Sequence, residues 1–215
     1  MFDRRIQNAL EPLWRAAAMP FARWGITPNQ VTVSAWATGL VSAFMIAHQQ
    51  YHWALAMLLI SRALDALDGA LARQVGSSEA GGYLDVALDF WFYVAIPLAF
   101  AWVAPDHNGM AAAALLASYV LNATSWLALT SLRPQAAFGF GSTAQPRKSL
   151  AFVTTLTEGG ETLLAYVAMC IWPQHFAPIA WSFAALCFLS TIYRTHMGWQ
   201  WLSAKSEASN DPIQP

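Results

Sequence analysis

Apolar residues in this chain come in long runs separated by short polar or turn-forming breaks. Six runs stand out, over 29–48, 52–74, 81–104, 110–132, 149–172 and 176–199. Each is about 20 residues long, enough to cross a hydrocarbon core of about 30 Å as a helix. The breaks carry turn and breaker residues: His48 to His52, Gly76 to Gly82, Pro105 to Gly109, Pro134 to Pro146 and Pro173 to Pro178. Ahead of the first run, Arg4, Arg5, Arg15 and Arg23 alternate with Ile6, Leu10, Leu13, Trp14, Ala17 and Phe21. That apolar spacing is helical, and arginine with tryptophan suits a helix lying in the membrane interface. Pro12 and Pro20 are expected to break it into pieces, and a solvated N-terminal arm is the plainer alternative. The pattern predicts an all-α integral membrane protein. Residues 1–28 form an interfacial amphipathic helix, 29–204 a domain of six transmembrane helices, and 205–215 a polar, frayed tail.

Composition agrees with the pattern. The chain is 57% hydrophobic and 11% charged, against about 25% charged residues in a soluble domain. A net charge of −1 gives no bulk attraction to nucleic acid. Cys170 and Cys187 lie in apolar runs without metal-type spacing and read as buried thiols. The N-terminus lacks the apolar core of a cleavable signal peptide. Loop charges supply orientation. Arg4, Arg5, Arg15 and Arg23 precede span 1, and Arg73 lies at the 2–3 turn. Arg133, Arg147 and Lys148 lie in the 4–5 loop, and Arg194 and Lys205 near the end, while the other loops contain no Lys or Arg. The positive-inside rule then places both termini and the 2–3 and 4–5 loops in the cytoplasm.

One stretch runs against the apolar background. Asp65-Ala-Leu-Asp68-Gly69-Ala-Leu-Ala72-Arg73 ends span 2, and Gly81-Gly-Tyr-Leu-Asp85-Val-Ala-Leu-Asp89 begins span 3. Four of the chain's 12 acidic residues are here, although a charge at the centre of a membrane helix costs about 2.5–3.5 kcal/mol on insertion scales. At about 100° per residue, Asp68 lies about 60° to one side of Asp65, with Ala72 about 20° to that side and Gly69 about 40° to the other. Arg62 and Arg73 fall on the same half of the helix. Asp85 and Asp89 are one turn apart on span 3. The short connection makes spans 2 and 3 antiparallel neighbours, so two acidic edges are expected to meet near the cytoplasmic end.

Four carboxylates so close cannot all stay ionised unaided. A hard, all-oxygen ligand set favours Mg²⁺, Mn²⁺ or Ca²⁺ over zinc. Mg²⁺ is usually shared between carboxylates and substrate phosphates, which points to a phosphate-bearing substrate. Gly69 and Ala72 leave a gap beside the carboxylates, and Arg73 offers a charge for a phosphate. Two other readings of the carboxylates stand beside this one: a cation or proton path, or ion pairs with Arg62 and Arg73 that serve packing alone.

The spacing Asp65-x-x-Asp68-Gly69-x-x-Ala72-Arg73-x7-Gly81-x3-Asp85-x3-Asp89 resembles the full signature of the CDP-alcohol phosphotransferases, in their bacterial phospholipid-synthesising type. Thr27-Pro28-Asn29-x-x-Thr32 resembles the family's less specific nucleotide-side element. The resemblance implies transfer of a substituted phosphate from a CDP-alcohol, commonly CDP-diacylglycerol, to the hydroxyl of a small acceptor alcohol, with release of CMP. It implies a two-metal site of Mg²⁺ or Mn²⁺ on Asp65, Asp68, Asp85 and Asp89, with Asp89 also the general base. It implies CDP contacts from Gly69, Ala72, Arg73, Asn29 and Thr32. A homodimer in the bacterial inner membrane, with a cytoplasmic active site, follows from the same resemblance. A cation or proton transporter is the rival, but a transport path has no need of a nucleotide-sized gap beside an arginine. An intact aspartate set also argues against a non-catalytic scaffold.

The acceptor is less legible. On span 5, Thr154, Thr155, Glu158, Glu161 and Thr162 share an arc of about 120°, and intramembrane glutamates are candidates for function. Ser118, Tyr119, Asn122 and Ser125 give span 4 a milder polar face, read as packing glue. Arg133, Arg147, Lys148 and Arg194 are candidates for holding an acceptor phosphate. The rim cations favour a phosphorylated acceptor, whereas Glu158 and Glu161 favour a polyol or an amino alcohol.

Overall fold

The computed structural model describes residues 2–131 and 159–210. Seven α-helices follow one another there: α1 (Phe2–Arg23), α2 (Pro28–Ala47), α3 (Tyr51–Val75), α4 (Glu79–Val103), α5 (Pro105–Ser131), α6 (Gly159–Ile171) and α7 (Phe176–Asn210). A 3-10 turn at Pro173–His175 joins the last two. α2, α4, α5 and the stretch Pro173–Gln200 are long and apolar enough to cross a membrane. α3 has the length, 25 residues, but carries Arg62, Asp65, Asp68 and Arg73. α6 is a shorter apolar helix that starts at the edge of the described residues.

Three expectations about boundaries are corrected. α1 is one continuous helix through Pro12 and Pro20. Each proline removes one backbone bond and crowds the preceding turn, but both rings are exposed on the outer side while Ala18 is buried. Ala18 packs with Val31, Leu67, Ala70 and Leu71, and Trp14 and Phe21 lie against that cluster, so docking carries the helix across its breakers. α5 begins at Pro105, which makes the expected 3–4 loop its first turn; proline is well suited to that position because its missing N–H has no helical partner there. α7 continues to Asn210, past the point where a frayed tail was expected.

α2 is the central packing element. Thr27 caps it, with the Thr27 hydroxyl accepting from Gln30 N at 3.4 Å and Gln30 Oε1 accepting from Thr27 N at 2.9 Å, a reciprocal box that satisfies two free backbone donors. Farther along, Ser42 donates to Ala54 O at 2.8 Å and Ser61 donates to Ala35 O at 2.7 Å, tying α2 to α3. Gly39 lets the Phe92 ring of α4 reach the same face, since a Cβ there would stand 2.6 Å from that ring. α2 thus packs on both α3 and α4, while α3 and α4 make few close backbone approaches to each other. The two acidic helices are not packed neighbours, as the short connection led us to expect; they are the walls of a cleft, with α2 behind.

The main core comes from the C-terminal halves of α2, α4 and α6 and the N-terminal halves of α3, α5 and α7. Ile46, Leu58, Ile96, Phe100, Leu115, Met169 and Phe176 are fully buried there, and Phe100 stacks on Phe176 at 4.5 Å between centroids. The aspartates lie on the opposite halves of α3 and α4. Outside, Leu164 is 69% exposed, Ile192 66% and Trp91 65%, large apolar side chains suited to lipid. Trp24, Trp53, Trp102 and Trp172 are exposed near helix ends, and Trp199 is exposed near the end of the apolar stretch Pro173–Gln200, where an aromatic belt belongs.

Candidate active site

Asp65 and Asp68 on α3 and Asp85 on α4 each offer an oxygen within 4.8 Å of the others. Asp68 is buried, and its Oδ2 has no hydrogen-bond partner. A buried carboxylate oxygen left without a partner is costly, and Asp68 converging with the carboxylates of Asp65 and Asp85 from two helices fits a divalent cation with an all-oxygen shell. The residues therefore fit the Mg²⁺ or Mn²⁺ that the resemblance implies.

Asp89 is differently employed. Its Oδ1 accepts from Arg62 Nη1 at 2.9 Å, and the same guanidinium nitrogen lies 3.5 Å from Asp65 Oδ1. Arg62 Nη2 donates to Ser61 Oγ at 3.2 Å, and its Cζ stands 4.2 Å from the centroid of the Phe92 ring. Cation–π contact of this kind strengthens when desolvated.

Two of the nucleotide-side candidates, Asn29 and Thr32, lie at the same cleft. Ser78 caps α4 by accepting from Gly81 N at 3.0 Å. A Cβ on Gly81 would stand 2.9 Å from Asn29 Oδ1, so only glycine lets the first turn of α4 meet the first turn of α2 at this distance. The Thr32 hydroxyl donates to Pro28 O at 3.0 Å and lies within hydrogen-bonding reach of Asp68. The Thr27-Pro28 element is thus a helix start, and Asn29 and Thr32 are the residues it presents to the cleft. The head of Arg73 lies beside Gly69, its Nη1 3.5 Å from where a Cβ would stand, an ordinary contact distance. Arg73 is exposed, and its Nε pairs with Glu11 Oε1 of α1 at 3.1 Å. Arg73, Glu11, Arg15, Ala70 and Gln74 surround a cavity of about 450 Å³ between α1 and α3.

One turn beyond Asp89 lies a second cavity, of about 310 Å³, walled by Phe90, Tyr93, Tyr119, Trp126, Thr162 and Arg194. Arg194 is only 6% exposed. Its Nη1 donates to Asn122 Oδ1 at 2.7 Å, Asn122 O at 3.1 Å and Ser125 Oγ at 3.3 Å. All three acceptors are neutral. Asn122 and Ser125, read from sequence as packing glue, hold this arginine in place. Glu161 faces elsewhere, lining a groove with Leu164, His175, Ser182 and Leu186, so Glu161 and Thr162 do not share one cavity. Arg133, Arg147, Lys148 and Glu158 lie outside the described residues. Sequence reasoning held ion pairs between the carboxylates and Arg62 only as a packing alternative, and it did not find the wall formed by Tyr93 and Tyr119. The position of Arg62, three residues before Asp65, was the available signal for the first.

A sequence profile of the CDP-alcohol phosphatidyltransferases matches residues 25–193. The chain belongs to this family. Phosphatidyl transfer in phospholipid synthesis, expected from the aspartate signature, is borne out at that level. Over 199 residues the chain is 36% identical to the inner membrane protein YnjF of Escherichia coli, covering 93% of this chain and 96% of that one. It is 34% identical over 116 residues to the phosphatidylcholine synthase of Legionella pneumophila, covering 52% and 42% of the two chains. The fold resembles that of Mycobacterium tuberculosis phosphatidylinositol phosphate synthase, solved with CDP-DAG bound, at a TM-score of 0.66 and 18% identity over 87% of this chain and 94% of that one. A second structure of that enzyme, in complex with manganese and citrate, gives a TM-score of 0.65 at 18% identity over 86% and 88%. With its apolar helices and this kinship, the chain is a membrane protein.

Proposed function

We propose that the cleft between α3 and α4 transfers a phosphatidyl group from CDP-diacylglycerol, or a related CDP-alcohol, to the hydroxyl of a small phosphorylated alcohol, releasing CMP. The convergence of Asp65, Asp68 and Asp85, with a buried and unpartnered Asp68 oxygen, carries this reading. Gly69, Ala72, Arg73, Asn29 and Thr32 receive the CDP. For Arg73 to meet a phosphate it exchanges Glu11 for it, an inexpensive step because exposed ion pairs contribute about 0–1 kcal/mol. Asp65, Asp68 and Asp85 would hold a Mg²⁺ or Mn²⁺, which would supply counter-charge for the pyrophosphate and for CMP as it leaves. Asp89 takes the proton of the acceptor hydroxyl. The freed oxygen bonds to the β-phosphorus as the bond from that phosphorus to the bridging oxygen breaks, and that oxygen leaves with CMP. Of the two ions the resemblance implies, the first has its ligands assembled; a second would share Asp65 and Asp89 with Arg62.

The acceptor class rests on Arg194. Among the described residues no carboxylate pairs with it, and a buried guanidinium with neutral partners next to a cavity favours an anionic ligand. The cavity shares Phe90 and Tyr93 with the turn that follows Asp89, which supports an acceptor held by Arg194 and presenting its hydroxyl to Asp89. Glycerol phosphate and inositol phosphate have this chemistry; Arg133 and Lys148 are candidates to share the phosphate, and Glu158 and Glu161 to contact the polyol. The wider frame follows from the apolar runs and loop charges. α1 within residues 1–28 lies in the interface, α3 and α6 complete six spans over 29–204, residues after 205 form a polar tail, and both termini are cytoplasmic; the family resemblance adds the pairing of two copies in a bacterial inner membrane. The family match leaves the transporter reading without support.

The test uses purified protein with CDP-diacylglycerol, Mg²⁺ or Mn²⁺, and glycerol 3-phosphate, inositol phosphate, inositol, serine or choline. CMP release is expected with a phosphorylated acceptor. Release only with choline or serine would overturn the acceptor assignment, and no release from folded protein with any acceptor would overturn the reaction.

A further inference from the structure

The four signature aspartates do not behave as one group. Three converge, and the fourth is held by an arginine. We propose that Arg62 is a built-in cation standing where a second metal ion would otherwise bind, so that this chain holds one divalent ion, at Asp65, Asp68 and Asp85, and Asp89 is positioned by a guanidinium. The inference rests on the metal reading above and deepens it.

The surroundings of Arg62 are fitted to it. Its side chain is 13% exposed and bridges Asp65 and Asp89 through one nitrogen. Its other terminal nitrogen meets Ser61 Oγ, and that hydroxyl is itself anchored on Ala35 O at 2.7 Å. The Phe92 ring that backs the guanidinium is 1% exposed, sits in the space left by Gly39, and meets Tyr166 edge-on at 5.9 Å. Arg62 Nε has no hydrogen-bond partner, so the arrangement carries a desolvation cost. A side chain merely resting against an empty acidic site would not come with a buried ring, a hydroxyl and a glycine shaped around it.

The electrostatics point the same way. A guanidinium stays protonated throughout the working pH range. A divalent ion bound by both Asp65 and Asp89 would lie a few ångströms from it, and like charges at that distance in a partly desolvated site repel strongly. Arg62 offers Asp89 the same service as an ion, a counter-charge and a fixed orientation, with no dependence on metal supply. Oδ1 of Asp89 is the atom Arg62 holds, which leaves Oδ2 for the acceptor hydroxyl. Arg62 is in this sense a positioning residue that acts through Asp89.

The experiment counts ions and does not need turnover. Metal-depleted, detergent-purified full chain is titrated with Mn²⁺, with and without CDP, and free Mn²⁺ is followed by electron paramagnetic resonance. One bound ion per chain is expected for the wild type and for Arg62→Lys. Arg62→Gln is expected to bind two, with magnetic coupling between them at low temperature. Two ions in the wild type, or one in a folded Arg62→Gln, would overturn the inference. If Arg62→Gln does not fold, the wild-type count alone decides. No bound ion in the wild type would overturn both this inference and the metal reading. One bound ion without CMP release would count against the proposed reaction and leave Arg62 where it is placed here.

Discussion

The cleft of α2, α3 and α4 and the cavity of α4, α5, α6 and α7 meet at one turn of helix, Asp89 to Tyr93, yet they are built on different plans. The cleft is charged on both walls, and Arg62 answers Asp65 beside it and Asp89 across from it, while Arg73 pairs away from the cleft with Glu11 of α1. The cavity is walled by aromatic rings and holds one buried cation with neutral partners. Asn122 is engaged in holding Arg194, so a ligand there meets a charge and flat aromatic walls edged by the hydroxyls of Tyr93, Tyr119 and Thr162. The difference suits a division of labour. A charged donor and a metal need many fixed oxygens, while a small acceptor needs one charge for its phosphate and a dry enclosure near the base.

Three substitutions break or sharpen that contrast. Asp89→Asn, at the junction, has the largest expected effect. Loss of the base lowers kcat by about 10²–10⁴-fold, while donor binding, followed with a fluorescent CDP-diacylglycerol, stays close to wild type. Retained turnover would remove Asp89 as the base. Arg194→Gln is expected next. Charged hydrogen bonds contribute about 1.5–3 kcal/mol, a drop of roughly 10- to 100-fold in kcat/KM for a phosphorylated acceptor, with donor KM unchanged. Equal damage to both substrates would erase the division between cleft and cavity. Gly81→Ala is the smallest. An added Cβ forces Asn29 off its position, at a cost of about 0.5–1.5 kcal/mol for a displaced rotamer. Donor KM then rises roughly two- to tenfold while acceptor KM holds. A rise in acceptor KM instead would remove Asn29 from the nucleotide side.

The two regions were unequally legible in the sequence for a physical reason. The donor cleft is written within 25 consecutive positions of two successive helices, so helical periodicity alone brings Asp65, Asp68 and Asp85 to facing edges. Even there, α2 as the packing partner of both walls was invisible, because its glycine and serines look like ordinary small residues until Phe92 and Ala54 are placed against them. The acceptor cavity depends on Arg194 meeting Asn122, 72 positions away. No periodicity links residues so distant, and each reads alone as a loop charge or packing glue. The span-5 arc illustrates the opposite error. Glu161 and Thr162 share an arc on paper but open onto different spaces. Prolines misled in a similar way at α1, where docking on α3 outweighed two local breaks.

The position of α2 behind the cleft has a mechanical consequence. Four acids facing each other across a gap push their helices apart, and α3 and α4 have little direct grip with which to resist. The gauge of the gap is therefore set on its far side, by Gly39 against Phe92, Ser61 against Ala35, and Gly81 against Asn29. Replacing a small residue of α2 acts like a shim under one wall. It would respace oxygens it never touches, and so alter which ion fits between them while every acidic side chain stays in place.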